Sequence, residues 1–293
     1  MSLSLTYVLL RWLHFTALMM LAGGSIFSTL LGPGHYRQHL ARRFSLLLGS
    51  SAVIALVSAL LLLAVQTGLM GEGWQDIFRV TVWHAVLQTR FGEVWQWQIA
   101  AALTGVAALA LSGRAQQGLY LFSAITQLTG LAFTGHATLL DGIPGMFQRT
   151  NQAVHLIAAA FWAGGLLPVL LVMTDTRHPS LRQPAIRTLM RFSGFGHLAV
   201  ALVLISGLVN ALIILPEWPP ASFGPYSQLL LLKTVLVVVM CGVALWNRYW
   251  LVPRFQQSGT HAAQKFIRAT LAELALAATV LLLVSLFATL EPA

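Results

Sequence analysis

Polar positions are sparse along this chain and gather into short connections, leaving apolar stretches of about 20 residues or more, enough to cross a hydrocarbon core of about 30 Å. Eight such stretches stand out: Leu5–Leu31, Phe44–Leu69, Val94–Leu111, Leu119–Leu140, Val154–Met173, Phe192–Leu215, Leu229–Asn247 and Ile267–Leu290. The pattern predicts an all-α fold, a polytopic membrane protein of eight transmembrane helices embedded in a lipid bilayer. The first stretch has no basic leading region, carries Arg11 within it and runs too long before any cleavage site, so it reads as a span and not as a signal peptide. Between the second and third stretches, Met70 to Glu93 holds Trp74, Phe78, Trp83 and His84, a composition suited to a segment lying among lipid headgroups.

Within this pattern the chain repeats itself. His14-Phe-Thr-Ala-Leu-Met-Met-Leu-Ala-Gly-Gly in the first stretch is echoed by His155-Leu-Ile-Ala-Ala-Ala-Phe-Trp-Ala-Gly-Gly in the fifth, with the glycine pair at the same offset. Arg43-Phe44-Ser45 opens the second stretch and Arg191-Phe192-Ser193 the sixth, and a second serine follows thirteen positions later in each, at Ser58 and Ser206. Phe91-Gly92 before the third stretch matches Phe223-Gly224 before the seventh. Two four-helix repeats of the same orientation are expected, residues 1–140 and 141–293, since an even number of crossings returns the chain to its starting side. Parallel repeats of this kind commonly enclose a site at their junction.

Charge then orients the bundle. Arg37, Arg42, Arg43, Arg114, Arg177, Arg182, Arg187, Arg191, Arg248, Arg254, Lys265 and Arg268 all lie in alternate connections, whereas the opposite ones hold Arg79, Arg90 and Arg149 with several acids. The positive-inside rule puts the arginine-rich connections in the cytoplasm and both termini outside, periplasmic if the membrane is a bacterial inner membrane. The net charge of +9 is thus a topology signal, and nucleic acid is not expected as a partner. Composition agrees: 57% hydrophobic residues, 9% charged residues and a mean hydropathy of +0.78 exclude an ordinary soluble domain. The single cysteine, Cys241, excludes both a disulfide framework and a cysteine metal cage within one chain.

Chemistry is sought among side chains that are costly to place in hydrocarbon. Of nine histidines, His35, His39, His178 and His261 fall in the arginine-rich connections and read as solvated. His14 lies near mid-membrane in the first stretch, His136 near the outer end of the fourth, His155 near the outer start of the fifth and His197 near the cytoplasmic end of the sixth. Three imidazoles from His14, His136 and His155 meeting in the outer half would suit a borderline or soft metal such as copper or zinc. His84 in the outer loop and the thioether of Met146 could assist, although packing explains a methionine equally well. Interhelical hydrogen bonding is the competing account of each histidine. Lys233 and Glu273 are further ionisable residues inside spans: Lys233 could snorkel or neutralise an anion, and Glu273 could pair with an arginine or relay protons or cations.

Taken together, Leu13-His14-Phe15 with Gly23-Gly24, Gly135-His136-Ala137-Thr138, His155 with Phe161-Trp162-Ala163-Gly164-Gly165, Arg191-Phe192-Ser193, Leu229–Lys233 and Asn247-Arg248 resemble the CopD family of bacterial inner-membrane copper proteins. The ending Ala288-Thr-Leu-Glu-Pro292 is similar to that of a short branch of the same family. The resemblance implies copper handling between periplasm and cytoplasm, a separate periplasmic copper-binding partner of the CopC type, and membrane histidines at His14, His136, His155 and His197. It leaves the direction of transport and the oxidation state, Cu(I) or Cu(II), open.

Three functions compete. A copper permease would receive metal outside at His136 and His155, helped by His84 or Met146, and pass it inward to His14; import is the expected direction because no ATP-binding motif accompanies the spans. A redox protein carrying haem b between two histidines, a copper reductase or quinol-linked carrier, is the alternative. A scaffold with packing histidines is the third, and a homo-oligomer is compatible with each. Hydrolytic motifs are absent, so an enzyme of that class is not expected.

Overall fold

A computed structural model describes residues 2–135, 139–214, 224–287 and 289–290. The described residues form helices and connections, with no strand among them. The helices are α1 (Leu3–Ile26), α2 (Tyr36–Arg43), α3 (Ser45–Met70), α4 (Val80–Leu87), α5 (Arg90–Ala107), α6 (Gly113–Leu131), α7 (Gly142–Asp175), α8 (Pro179–Ile214), α9 (Pro225–Trp246) and α10 (Phe255–Phe287). A π-turn, Phe27–Leu31, prolongs α1 and another, Asn247–Leu251, prolongs α9. Local chemistry sets the starts: Ser2 Oγ accepts from Leu5 N–H at 3.2 Å, Thr89 Oγ1 accepts from Gly92 N–H at 3.1 Å, and Pro225 opens α9 where no amide donor is needed.

Six helices among the described residues are long and apolar enough to cross a membrane: α1 with its π-turn, α3, α7, α8, α9 with its continuation, and α10. The third and fourth apolar stretches fold as α5 and α6, of 18 and 19 residues, and fall outside that group. Gln98, Gln117, Ser123 and Gln127 lower their apolar content, and all four are buried against protein. Gln98 Nε2 donates to Gln127 O at 3.0 Å, Gln127 Nε2 to Ser123 Oγ at 3.0 Å, and Ser123 Oγ to Ala101 O at 2.7 Å. Those three donors find acceptors on the α5–α6 seam, and Gln117 Oε1 accepts from Ser28 Oγ at 2.6 Å, leaving Gln117 Nε2 and Gln127 Oε1 as the buried unpartnered atoms of the four side chains.

Helices α7 and α8 run to 34 and 36 residues, well beyond the apolar stretches inside them. Their polar turns persist because the side chains are held: Leu140 N–H donates to Gln148 Oε1 at 3.1 Å, and Asn151 and Gln152 bond to α8. The long connection after α3 contains a 3₁₀ turn, Trp74–Phe78, and the short α4. It leaves Trp74, Phe78 and Val80 exposed, while Trp83 Nε1 donates to Ile77 O at 2.7 Å.

Helix α1 is the hub, packing on α3, α6, α7 and α10, while α7 packs on α8, α5 on α3 and α6, and α9 on α10. The α1–α7 crossing is a backbone contact. A Cβ on Gly23 would fall 2.0 Å from the Gly164 carbonyl oxygen, and one on Gly164 would fall 2.0 Å from that of Met19. Small residues let membrane helices approach this closely and gain dispersion where lipid offers no hydrophobic drive. Gly24 faces Leu48 of α3, and Gly165 faces Phe192 of α8. At the arginine-rich end, Asp175 closes α7 against α2: Tyr36 Oη donates to its Oδ2 at 2.6 Å, His39 Nε2 lies 3.1 Å from the same oxygen, and Arg43 pairs with Oδ1 at 3.1 Å.

Candidate functional site: two histidine–serine pairs

His14 projects from α1 into the seam with α3 and α5 and is 1% exposed. Its Nδ1 lies 2.9 Å from Ser58 Oγ and 3.2 Å from the carbonyl oxygen of Ala55. A carbonyl can only accept, and Ser58 already donates its proton to the Ile54 carbonyl at 2.6 Å. The network therefore assigns the imidazole proton to Nδ1, and Nε2 carries a lone pair. That Nε2 is buried and has no hydrogen-bond partner. The Trp95 indole walls the pocket, 6.0 Å away between ring centroids and itself fixed by Nε1 donating to Ala59 O at 2.8 Å.

His155, on α7, repeats the motif against α8. Its Nδ1 lies 2.9 Å from Ser206 Oγ, and Ser206 in turn donates to the Leu202 carbonyl one turn back. This ring is half-buried and edges Gly207. Around it lies a polar network: Asn151 Nδ2 donates to Ser206 O and to Asn210 Oδ1, both at 2.9 Å, and Asn210 Nδ2 donates to Gln152 Oε1 at 2.7 Å. Lys233 of α9 stands over the Phe287 ring at 5.8 Å and is half-buried. The two sites differ in closure: Trp95 of α5 covers His14, which is 1% exposed, whereas His155 is only half-buried.

The remaining expected residues are scattered. His136 lies outside the described residues. His84 is exposed on α4, and Met146 is 65% exposed, nine residues from His155 and so half a turn out of register on α7. His197 is exposed and has both nitrogens engaged, Nδ1 donating to Ser193 O at 2.8 Å and Nε2 accepting from Tyr249 Oη at 2.9 Å. Glu273 is 2% exposed and accepts from Asn247 Nδ2 at 2.9 Å; the arginine partner expected for it is not found among the described residues. No group of three or more His, Cys, Asp or Glu side chains is close enough to hold a metal ion among the described residues.

Sequence reasoning missed the partners of these histidines. Ser58 and Ser206 were visible as a shared spacing, and only the folded helices turn them onto His14 and His155. Asn151, Gln152 and Asn210 gave no periodic signal. His39, read as solvated, instead contacts Asp175.

Long apolar helices around buried imidazoles define a polytopic membrane protein able to offer nitrogen ligands within the bilayer. Residues 1–146 match the family model for the copper resistance protein D-like N-terminal domain, and residues 186–287 match that for copper resistance protein D. The chain belongs to the CopD family. It is 46% identical to the inner membrane protein YebZ of Escherichia coli, with 99% of each chain covered, and 29% identical to copper resistance protein D of Pseudomonas syringae, covering 97% of this chain and 96% of that one. It is also 30% identical to the copper transport protein CutJ of Bacillus subtilis over 78% of this chain and 44% of that protein. No solved structure matches the chain. The chain is a multi-pass inner-membrane protein of a copper resistance and transport family. The haem reading finds no support in these relatives, two of which are named for copper.

Proposed function

We propose that the chain carries copper from the periplasm towards the cytoplasm, with the Nε2 atoms of His14 and His155 as the ligands that hold the ion within the membrane. One observation carries the reading: the proton of His14 is locked on Nδ1 by Ser58 and Ala55, while Nε2 is buried and unpartnered. Fixing the far nitrogen through a hydrogen bond is how proteins orient a metal-binding imidazole. Leaving a ligating nitrogen without a donor inside a low-dielectric seam is costly in the empty protein. His155, more open and set in a polar network, receives the ion first, and the closed pocket of His14 follows.

His136, expected from the sequence near the outer end of the fourth apolar stretch, and His84 and Met146, both exposed, belong to the capture step. A periplasmic copper-binding protein of the CopC type delivers the cargo. His197 acts as a tie between α8 and the end of α9. The family relatives named for copper resistance and copper transport support copper as the cargo. Substituting His14, His155 and His136 singly by alanine, with cellular copper measured by elemental analysis, tests the mechanism. Each variant is expected to lower copper accumulation. Unchanged accumulation in all three refutes the route.

The architecture proposed for copper passage is two parallel four-helix repeats, residues 1–140 and 141–293, with eight crossings and both termini outside. Two kinds of contact support it: Gly23 meets its counterpart Gly164 between the halves, and the His–Ser pairs, with Gly24 and Gly165 each against the next long helix, recur within each half. Inward-facing glutamines on α5 and α6 explain how these two also cross. Reporter fusions after Arg114 and after Asp141 should report opposite sides of the membrane; the same side would sink the eight-crossing topology.

A further inference from the structure

Where α9 ends, Asn247 opens the π-turn Asn247–Leu251 and faces Glu273 of α10. Both side chains are more than nine-tenths buried, at 5% and 2% exposure. Asn247 Nδ2 donates to Glu273 Oε2 at 2.9 Å. The two remaining oxygens, Glu273 Oε1 and Asn247 Oδ1, are buried and have no partner. An unsatisfied buried acceptor costs about 1–3 kcal/mol, and more if charged, so two in one contact call for a common cause.

Neighbouring groups do not supply the missing donor. Helices α1, α7 and α9 pack on α10, and the titratable group they bring near Glu273 among the described residues is the thiol of Cys241 on α9. No lysine, arginine or histidine pairs with Glu273 among them. Thr270, one turn away, directs its hydroxyl to Phe266 O at 2.9 Å. A single hydrogen on Oε1 would answer both orphans. The carboxylic acid would then donate to Asn247 Oδ1 while its carbonyl accepts from Asn247 Nδ2, the two-point pairing of an acid with an amide.

We infer that Glu273 and Asn247 form a proton-binding site inside the membrane at the arginine-rich end of α9 and α10. The ligand is a proton, held as the acid O–H of Glu273. Intramembrane carboxyls set against a partner amide are suited to taking up and releasing protons. The π-turn, a departure from α-geometry often found at functional positions, brings Asn247 to the carboxyl. The site stands independently of copper.

Infrared spectroscopy of the purified full-length protein in lipid tests it without any cargo. Wild type at neutral pH is expected to show a protonated-carboxyl C=O band that shifts on deuteration and disappears in Glu273→Gln, a variant that keeps the shape and the amide contact. Asn247→Val should retain the band but move it to higher frequency, because the carbonyl loses its donor. A wild-type spectrum without the band, or a band that survives in Glu273→Gln, overturns the proposal. If the band behaves as expected while His14→Ala, His155→Ala and His136→Ala all leave copper accumulation unchanged, the copper route fails and the proton site stands.

Discussion

Replacing Ser58 by alanine isolates the contact on which the copper route depends. The hydroxyl is the closer of the two acceptors for His14 Nδ1–H, at 2.9 Å against 3.2 Å for Ala55 O. Its loss leaves the ring one longer bond, frees it to rotate and weakens the hold on the tautomer that exposes Nε2. Folding should suffer little, since side-chain hydrogen bonds between membrane helices average about 0.6 kcal/mol and reach about 1.7. Copper should suffer more. Removing the partner that orients a metal-binding histidine typically costs about 10- to 100-fold in affinity, or about 1.4–2.8 kcal/mol. The assay is competition for copper against a chromophoric chelator in detergent, beside a thermal unfolding curve of the same sample. Ser58→Thr, which restores a hydroxyl, should recover most of the affinity, and the near-isosteric Ser58→Val should not. Wild-type affinity in Ser58→Ala, or equal affinities for the threonine and valine variants, would refute the role given to Nδ1.

Other substitutions probe the frame. Gly164→Leu must push α1 and α7 apart by roughly 1.4 Å, from 2.0 Å to the 3.4 Å of ordinary contact, even before the rest of the side chain is placed; overpacking costs about 1–3 kcal/mol, and an unchanged melting temperature in detergent would deny the backbone contact. Asp175→Asn removes the charge shared by Tyr36, His39 and Arg43 and should lower stability by about 1.5–3 kcal/mol, as for hydrogen bonds to charged groups, with no loss in melting temperature as the contrary result. Burial, with the Asp175 hydrogen bond and charge behind it, holds the Tyr36 phenol well above its ordinary value of 10.0. The unfolded chain therefore binds fewer protons than the folded one above that value, so stability is intact below about pH 10 and falls as pH rises past it. Tyr36→Phe should flatten that fall, and an identical pH profile would count against it. His197→Ala should cost about 1 kcal/mol and leave copper affinity unchanged, because both of its nitrogens are already bonded within the protein; a weakened affinity would place His197 on the route.

Length and apolar content carried most of the architecture. Six of the expected spans appear as helices long and apolar enough to cross a membrane, because a continuous apolar run in lipid must satisfy its own backbone. The other two coincide only in part with the shorter α5 and α6. What the runs could not show was how far α7 and α8 extend at their polar ends, since Gln148, Asn151 and Gln152 become acceptable only once their partners are in place. Hydropathy does not mark α5 and α6 as spans, and Gln98 and Gln127 on them bond along the seam they share, a pairing no local pattern announces. At the site, His14 and His155 stood out because a polar ring in an apolar run is costly, and the spacing of Ser58 and Ser206 was visible without its meaning. The Asp175 cluster was hidden more completely: its partners lie 136 and 139 residues away, a relation that no local pattern encodes. Glu273 was noticed as an ionisable residue, but its amide partner depends on the turn at the end of α9.

X-ray absorption on the copper-loaded, purified protein tests the central claim most directly. The account predicts stoichiometric copper with imidazole scattering that weakens in His14→Ala and in His155→Ala and is lost when both are replaced. Copper bound with the same ligand signature in the double variant, or no copper retained by the wild type, would contradict it.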